Sequence, residues 1–557
     1  MLRDNLSWQA IFFITILLAL LAGIVWSGYL AWKNEGLDTS DPAAVADAST
    51  ATNFQLATVY PNASFGANSF LIIPLINAAS LLLSISMTQK FLERLLNIIS
   101  KHATPHQYAS DMHNIPLLKR FTAMISLVVF VAVATFEIVF LARIGNSVIG
   151  ANPDGYYGLV VCIILLLVLA TTLGGQRTSL IADKWLLPVA YIGVHLAIAS
   201  LLLEGKPREI DAISVFIFLS LFIVVFLRVR VAKAVSGRQS IRHWVVVVST
   251  LALLVAMLSA TLNGSFVLSV NSLNSIAGSV NPTGSGLSWP VFFVAILGAI
   301  CPAILYNFVD FSFWQKYSIE LKNYKNIEEC ANATRRPFWI YLVESPLSWL
   351  LPVLLGLYVA PSLSTAQAAD PVSALFVILA AQSDVGRVLS LLLFASLTAI
   401  AISTSASYLA ALGDLWRRDI STASAASKSD SFSEGWHFVV GIGLIMIIAL
   451  VPLDIFAKTT DQLILLLLTS FAPLCALTPL VAWPLFRNSN ILLNRFGKIG
   501  IILAVSVGSI SGLIIGVFGV ALSVGPASVL FWISLPISFF VSWTIYLIAV
   551  FFFSEDI

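Results

Sequence analysis

Between Ser396 and Ile420 the stretch SLTAIAISTSASYLAALGDLWRRDI is apolar, gathers Thr398, Ser403, Thr404, Ser405 and Ser407 in its middle, and ends on charge at Arg417 and Arg418. A membrane helix does not need such a cluster, because each hydroxyl can bond back to the carbonyl one turn earlier; a hard cation stripped of water needs several oxygens at one point. The cluster therefore suits a sodium site. Small residues that let helices pack closely in a bilayer supply the other reading, and both stay open on these residues alone.

Polar groups recur in two more apolar surroundings. Residues 41–66 hold Asp47, Thr50, Asn53, Gln55, Tyr60, Pro61 and Asn62 and lack Lys and Arg. A span that polar is tolerated only against protein or a water-filled cavity, as in the discontinuous helices of transporters, and Asn53, Gln55 and Asn62 would mark its break; an extramembrane loop is the alternative. In GAICPAILYNFVD, Gly298, Pro302 and Asn307 offer a second break, within the run 288–309. Glu137, inside VATFEIVFLAR, is an intramembrane carboxylate and so a functional candidate, with a snorkelling ion pair to Arg143 as the structural alternative. A carboxylate with amides suits a cationic or polyhydroxyl substrate.

The elements that must position these residues follow from composition. Of 557 residues, 59% are hydrophobic and 10% charged, against about 25% charged in soluble domains. The chain is therefore an all-α polytopic membrane protein. A net charge of +2 and the lack of a basic run interleaved with aromatics exclude nucleic acid as a partner. Cys162, Cys301, Cys330 and Cys475 lack metal spacing and are expected to be packing residues. His102, His106 and His113 with Asp111 lie in a connector interrupted by Pro105, which argues against a metal site. No Walker sequence, G-x-S-x-G or paired intramembrane aspartates appear, so no enzyme is expected.

Fourteen apolar runs, from 8–32 to 528–553, are long enough to span a bilayer. Taking 41–66 as a span makes fifteen transmembrane helices. The connections 90–120, 228–242, 316–336, 414–435 and 487–498 are basic and fall on one face, whereas 263–287 and 523–527 hold no Lys or Arg. That face is cytoplasmic by the positive-inside rule, which puts the C-terminus inside and, with fifteen spans, the N-terminus outside. The plasma (inner) membrane is the expected location.

Four stretches, taken together, resemble the sodium:solute symporter family, which includes the sodium/proline and sodium/galactose transporters. LGGQRTSLIADKW, Leu173 to Trp185, is similar to the family's GG-x-x-A-V-x-x-T-D-x-x-Q, with Ala182 in place of Thr and Leu186 in place of Gln. TPHQYASDMHNIPLLKRFTA, Thr104 to Ala123, resembles the loop before the third core helix, and DFSFWQKYSIELKN, Asp310 to Asn323, the Q-R-x-x-A-A-K after the sixth. AIAISTSASYLAALGDLWRRDI is similar to A-A-x-M-S-T-x-x-S-x-L-x-x-x-S-x-x-x-x-D-I. The similarity covers roughly 5–204 and 288–550.

The resemblance implies a LeuT-type fold of five helices and five of inverted orientation. The expected organisation is an N-terminal peripheral helix (1–40), a first repeat (41–204), an inserted transmembrane hairpin with an external loop (205–287), a second repeat (288–486) and C-terminal peripheral helices (487–557). It implies sodium held by the side chains of Ser403 and Thr404, the carbonyl of Ile400 and carbonyls near Asp47 and Thr50, with Asp183 near the ion's cytoplasmic exit; an N-cap is the alternative for Asp183. The expected function is sodium-coupled symport of a small polar solute, with Asn53, Gln55, Asn62, Glu137, Pro302 and Asn307 as candidate substrate contacts. The partners are the solute, sodium and the lipid bilayer, with no soluble partner evident. A proton-coupled or uncoupled carrier, in which Glu137 carries the proton, and a transporter-fold sensor acting through a separate partner are the alternatives.

Overall fold

The computed structural model describes residues 2–33, 44–67, 71–149, 153–203, 208–210, 212–235, 237–262, 266–268, 288–304, 306–360, 363–364, 370–382, 384–421, 441–443, 445–446, 459–487, 491–526 and 528–554. The external loop over 269–287, the tail 422–440 and most of the run 437–456 lie outside them. Eleven described helices are long and apolar enough to cross a membrane, and the protein is an integral membrane protein. Besides helices the described residues hold one pair of three-residue strands, β1 (Arg208–Ile210) and β2 (Phe266–Leu268), in parallel register.

The helices before the strands are α1 (Leu2–Trp32), α2 (Ala44–Asn53), α3 (Leu56–Ala67), α4 (Ile72–Lys90), α5 (Leu92–Lys101), α6 (Pro105–His113), α7 (Pro116–Ile149), α8 (Pro153–Gly174) and α9 (Gln176–Leu203). Between the strands run α10 (Ala212–Ala234) and α11 (Gly237–Leu262). Next come α12 (Trp289–Ile304), α13 (Tyr306–Val309), α14 (Phe311–Leu321), α15 (Ile327–Val359), α16 (Pro371–Gln382), α17 (Asp384–Leu415), α18 (Thr460–Arg487), α19 (Arg495–Ala521), α20 (Val529–Trp532) and α21 (Ser534–Phe553). One π-turn, Trp416–Ile420, prolongs α17.

The chain forms two compact units. The first comprises 1–82, 136–287 and 334–406, the second 83–135, 288–333 and 407–557. In the first, α9 packs on α1, α2, α8 and α11, and α10 on α11. Backbones approach closely where side chains vanish: a Cβ on Gly356 of α15 would lie 1.8 Å from the Ala63 carbonyl oxygen of α3, and one on Gly193 of α9 would lie 2.1 Å from that of Leu392 on α17. In the second unit α18, α19 and α21 pack on one another, α12 packs on α21, and α14 on α5.

The described part of the polar segment, 44–66, is a broken helix rather than a loop. Thr50, Asn53, Gln55, Tyr60 and Asn62 are all buried, which is how a bilayer protein accommodates so many polar groups. The break falls at Phe54–Gln55, whereas Pro61 sits inside α3. Gln55 restarts the chain: its carbonyl oxygen accepts from the amides of both Thr58 and Val59, each at 2.9 Å.

Candidate functional site

Two hydroxyls of α17, those of Ser396 and Ser403, bond to α9, and the two helices run antiparallel there. Gly193 N donates to Ser396 Oγ at 2.9 Å, and that hydroxyl donates on to the Val189 carbonyl at 2.6 Å. Further along, Ser403 Oγ donates to Asp183 Oδ1 at 2.5 Å, and Ser179 Oγ to Asp183 Oδ2 at 3.1 Å. Asp183 is not an N-cap. The helix starts earlier, at Gln176, because Gly175 takes a φ of +55° that turns the chain between α8 and α9.

Between these two contacts lies a cavity of about 10 Å³, room for roughly one water-sized sphere. Ile400 and Ser403 line it from α17, Leu186, Leu187 and Ala190 from α9, and Ala51 and Phe54 from the end of α2. Thr404 Oγ1 is buried and has no hydrogen-bond partner among the described residues. Asp47 and Thr50, the positions named for the carbonyls of the first core helix, lie in α2 and do not line this cavity. The Thr50 carbonyl is consumed by the Phe54 amide at 2.9 Å, and the Asp47 carboxylate is held by arginines. Carbonyls left over by a break lie in the last turn of the helix, here from Ala51 onward.

The break itself has a built-in anion. Leu56 N and Ala57 N donate to the two oxygens of Glu137 at 2.8 and 2.7 Å, so an intramembrane carboxylate caps the start of α3, where free amides and the helix dipole favour negative charge. Asn53 is engaged too: its Nδ2 donates to Tyr341 Oη at 3.0 Å and Ser345 Oγ at 2.6 Å, and its carbonyl accepts from Trp349 Nε1 at 2.8 Å. Gln55 Oε1 is buried without a partner among the described residues.

By sequence, no protein-family model matches the chain, and no curated protein matches it. By structure it is similar to the substrate-bound, outward-open state of a Na⁺-coupled sialic acid symporter, with a TM-score of 0.59 at 14% identity over 98% of this chain and 99% of that chain. The shared property is the fold. It is the LeuT-type architecture that the motifs implied.

In the second unit, Asn307 lies on α13, just past the end of α12, and its Nδ2 donates to Thr88 Oγ1 at 3.3 Å. Pro302 is helical, with its side chain outside the described residues. Gly298 does not break α12; a Cβ there would lie 2.9 Å from the Trp532 carbonyl oxygen. The connector histidines are separately engaged, His102 with Asp111 at 3.1 Å, His106 with Thr122 at 3.2 Å and His113 with Tyr546 at 2.9 Å.

Tyr341, Ser345 and Trp349 of α15, which grip the end of α2, were not expected from sequence, and neither were Arg228, Arg242 and Glu344. Glu344, within IYLVESPL, carries the same signal as Glu137, an ionisable group in an apolar run.

Proposed function

We propose that the chain is a secondary active transporter that couples a small polar solute to sodium by alternating access, in the plasma (inner) membrane with its N-terminus outside and its C-terminus in the cytoplasm. The observation that carries this reading is the water-sized cavity bounded by Ala51, Phe54, Ile400 and Ser403. Thr404, the next residue after Ser403, has a buried hydroxyl without a protein partner among the described residues. The ligands for sodium would be the Ser403 and Thr404 hydroxyls, the Ile400 carbonyl and the Ala51 and Phe54 carbonyls, about five oxygens for a hard cation. Asp183, hydrogen-bonded to Ser403, supplies a negative charge next to them and suits a role in ion release.

Because these ligands belong to α2 and α17, an arriving ion draws the two helices together, which is how a sodium gradient would bias the position of the broken helix. The solute would meet that helix at its break, near Gln55 and Asn62. Sharing its fold with a symporter supports transport over enzymatic activity. The proton-carrier alternative is weakened by Glu137, whose two oxygens are both engaged in starting α3.

Purified protein should bind radioactive sodium, and Ser403→Ala with Thr404→Ala should abolish that binding while leaving a folded protein. In proteoliposomes, uptake from a panel of labelled polar solutes should require an inward sodium gradient. Sodium-independent uptake undiminished in the double variant would overturn the reading.

A further inference from the structure

Asp47 lies in the first turn of α2, one turn ahead of Ala51, and its carboxylate is turned toward the hairpin of α10 and α11. Arg228 Nη1 stands 2.8 Å from Asp47 Oδ1, and Arg242 Nη2 stands 3.0 Å from Oδ2. The same Arg228 guanidinium grips Glu344 on α15 with its other edge. Nε donates to Oε1 at 2.5 Å, and Nη2 donates to Oε2. Nη1 also donates to His243 Nδ1 at 2.9 Å. Arg228 is 1% exposed, Asp47 2% and Glu344 0%. Two carboxylates on two core helices thus balance two guanidiniums on the hairpin.

Such a buried cluster is a weak device for stability, because apolar residues of the same volume often do as well. What a planar, forked guanidinium does better is fix geometry, since it accepts a carboxylate in one orientation. Here the fork is locked onto α15 through Glu344, and its remaining edge holds α2. A helix is rigid over one turn, so fixing Asp47 fixes where the carbonyls of Ala51 to Phe54 point. From α15, Tyr341 and Ser345 seize Asn53 at the other end of the same half-helix. The half-helix is held at both ends, and at its start the hairpin does the holding.

We propose that the hairpin is a positioning element of the ion site: Arg228 sets the height and rotation of α2 and so presents the Ala51 and Phe54 carbonyls to the cavity beside Ser403. The ion-site half of this statement rests on the proposed sodium coupling.

The test compares Arg228→Met, Arg228→Lys and the quadruple variant Asp47→Asn, Arg228→Met, Arg242→Met, Glu344→Gln with the wild-type protein, all purified at full length. Three quantities are measured: the melting temperature, hydrogen exchange of residues 44–53 in sodium-free buffer, and the shift of melting with added sodium chloride. The quadruple variant leaves no carboxylate or guanidinium of the cluster without its partner, so it should melt near the wild-type temperature even where Arg228→Met does not fold. It should still exchange faster over 44–53 and respond to sodium with an apparent affinity about tenfold weaker, the scale of a lost outer-shell partner. Arg228→Lys, a charge without the fork, should fall between. A quadruple variant with wild-type exchange over 44–53 and wild-type sodium response would overturn the proposal and leave the hairpin as filler. If the wild-type protein ignores sodium, the sodium reading fails, and the exchange comparison in sodium-free buffer still decides whether the hairpin positions α2.

Discussion

Ser403 donates its hydroxyl to the Asp183 carboxylate at 2.5 Å, joining positions 220 residues apart in the chain. That bond ties one of the proposed ion ligands to a negative charge without making the carboxylate itself a lining residue of the cavity. Asp183→Asn keeps an acceptor and removes the charge. It should weaken apparent sodium affinity by about 10- to 100-fold, measured as the sodium dependence of melting, while the melting temperature without sodium changes little. An unchanged sodium response would reduce Asp183 to a packing partner of Ser403.

Glu137 holds the first two amides of α3, and its removal should be felt there. Glu137→Ala leaves both donors buried and unpaired and should destabilise the protein by about 1–3 kcal/mol. Glu137→Gln retains one acceptor and should cost less. Thermal denaturation ranks the two variants, and faster hydrogen exchange over residues 56–60 locates the effect. Equal melting of the alanine variant and the wild type would show that the break is held by other contacts.

His106 and His113, in the connector between α5 and α7, give the fold a pH dependence. Burial lowers the imidazole pKa from 6.5 to about 3 for His106 and to about 4 for His113. The unfolded chain therefore takes up protons below about pH 6.5 that the folded chain refuses until about pH 4, and stability falls as pH drops through that window. Each histidine contributes a slope of about 1.4 kcal/mol per pH unit. Melting temperatures between pH 7.5 and pH 5 check this, and His113→Gln should flatten the decline. An unaltered slope in that variant would mean that another group dominates the acid response.

What the sequence made legible was what local pattern controls. Apolar runs long enough to cross lipid announce spans by themselves, and Ile400 and Ser403, named through the family resemblance, line one cavity. The position of the break was not legible, because polarity is spread evenly along 41–66 and the restart of the helix bonds to a carboxylate 80 residues away. Asp183 resembles an N-cap for a similar reason: the true helix start depends on the positive φ of Gly175, not on the charge later in the helix. Arg228 looks in sequence like one more basic residue marking the cytoplasmic face, since a loop charge and a buried one are alike until Asp47 and Glu344 are brought beside it.

Strands β1 and β2 pair with Arg208 opposite Phe266, so the way into the hairpin and the way out of it stand about 4.8 Å apart. A cassette with adjacent ends can be spliced into a gene without displacing the helices on either side. Its loss is less symmetrical. Excision would close the chain neatly yet leave the buried Asp47 and Glu344 without their guanidiniums, so the hairpin costs more to remove than its adjacent ends suggest.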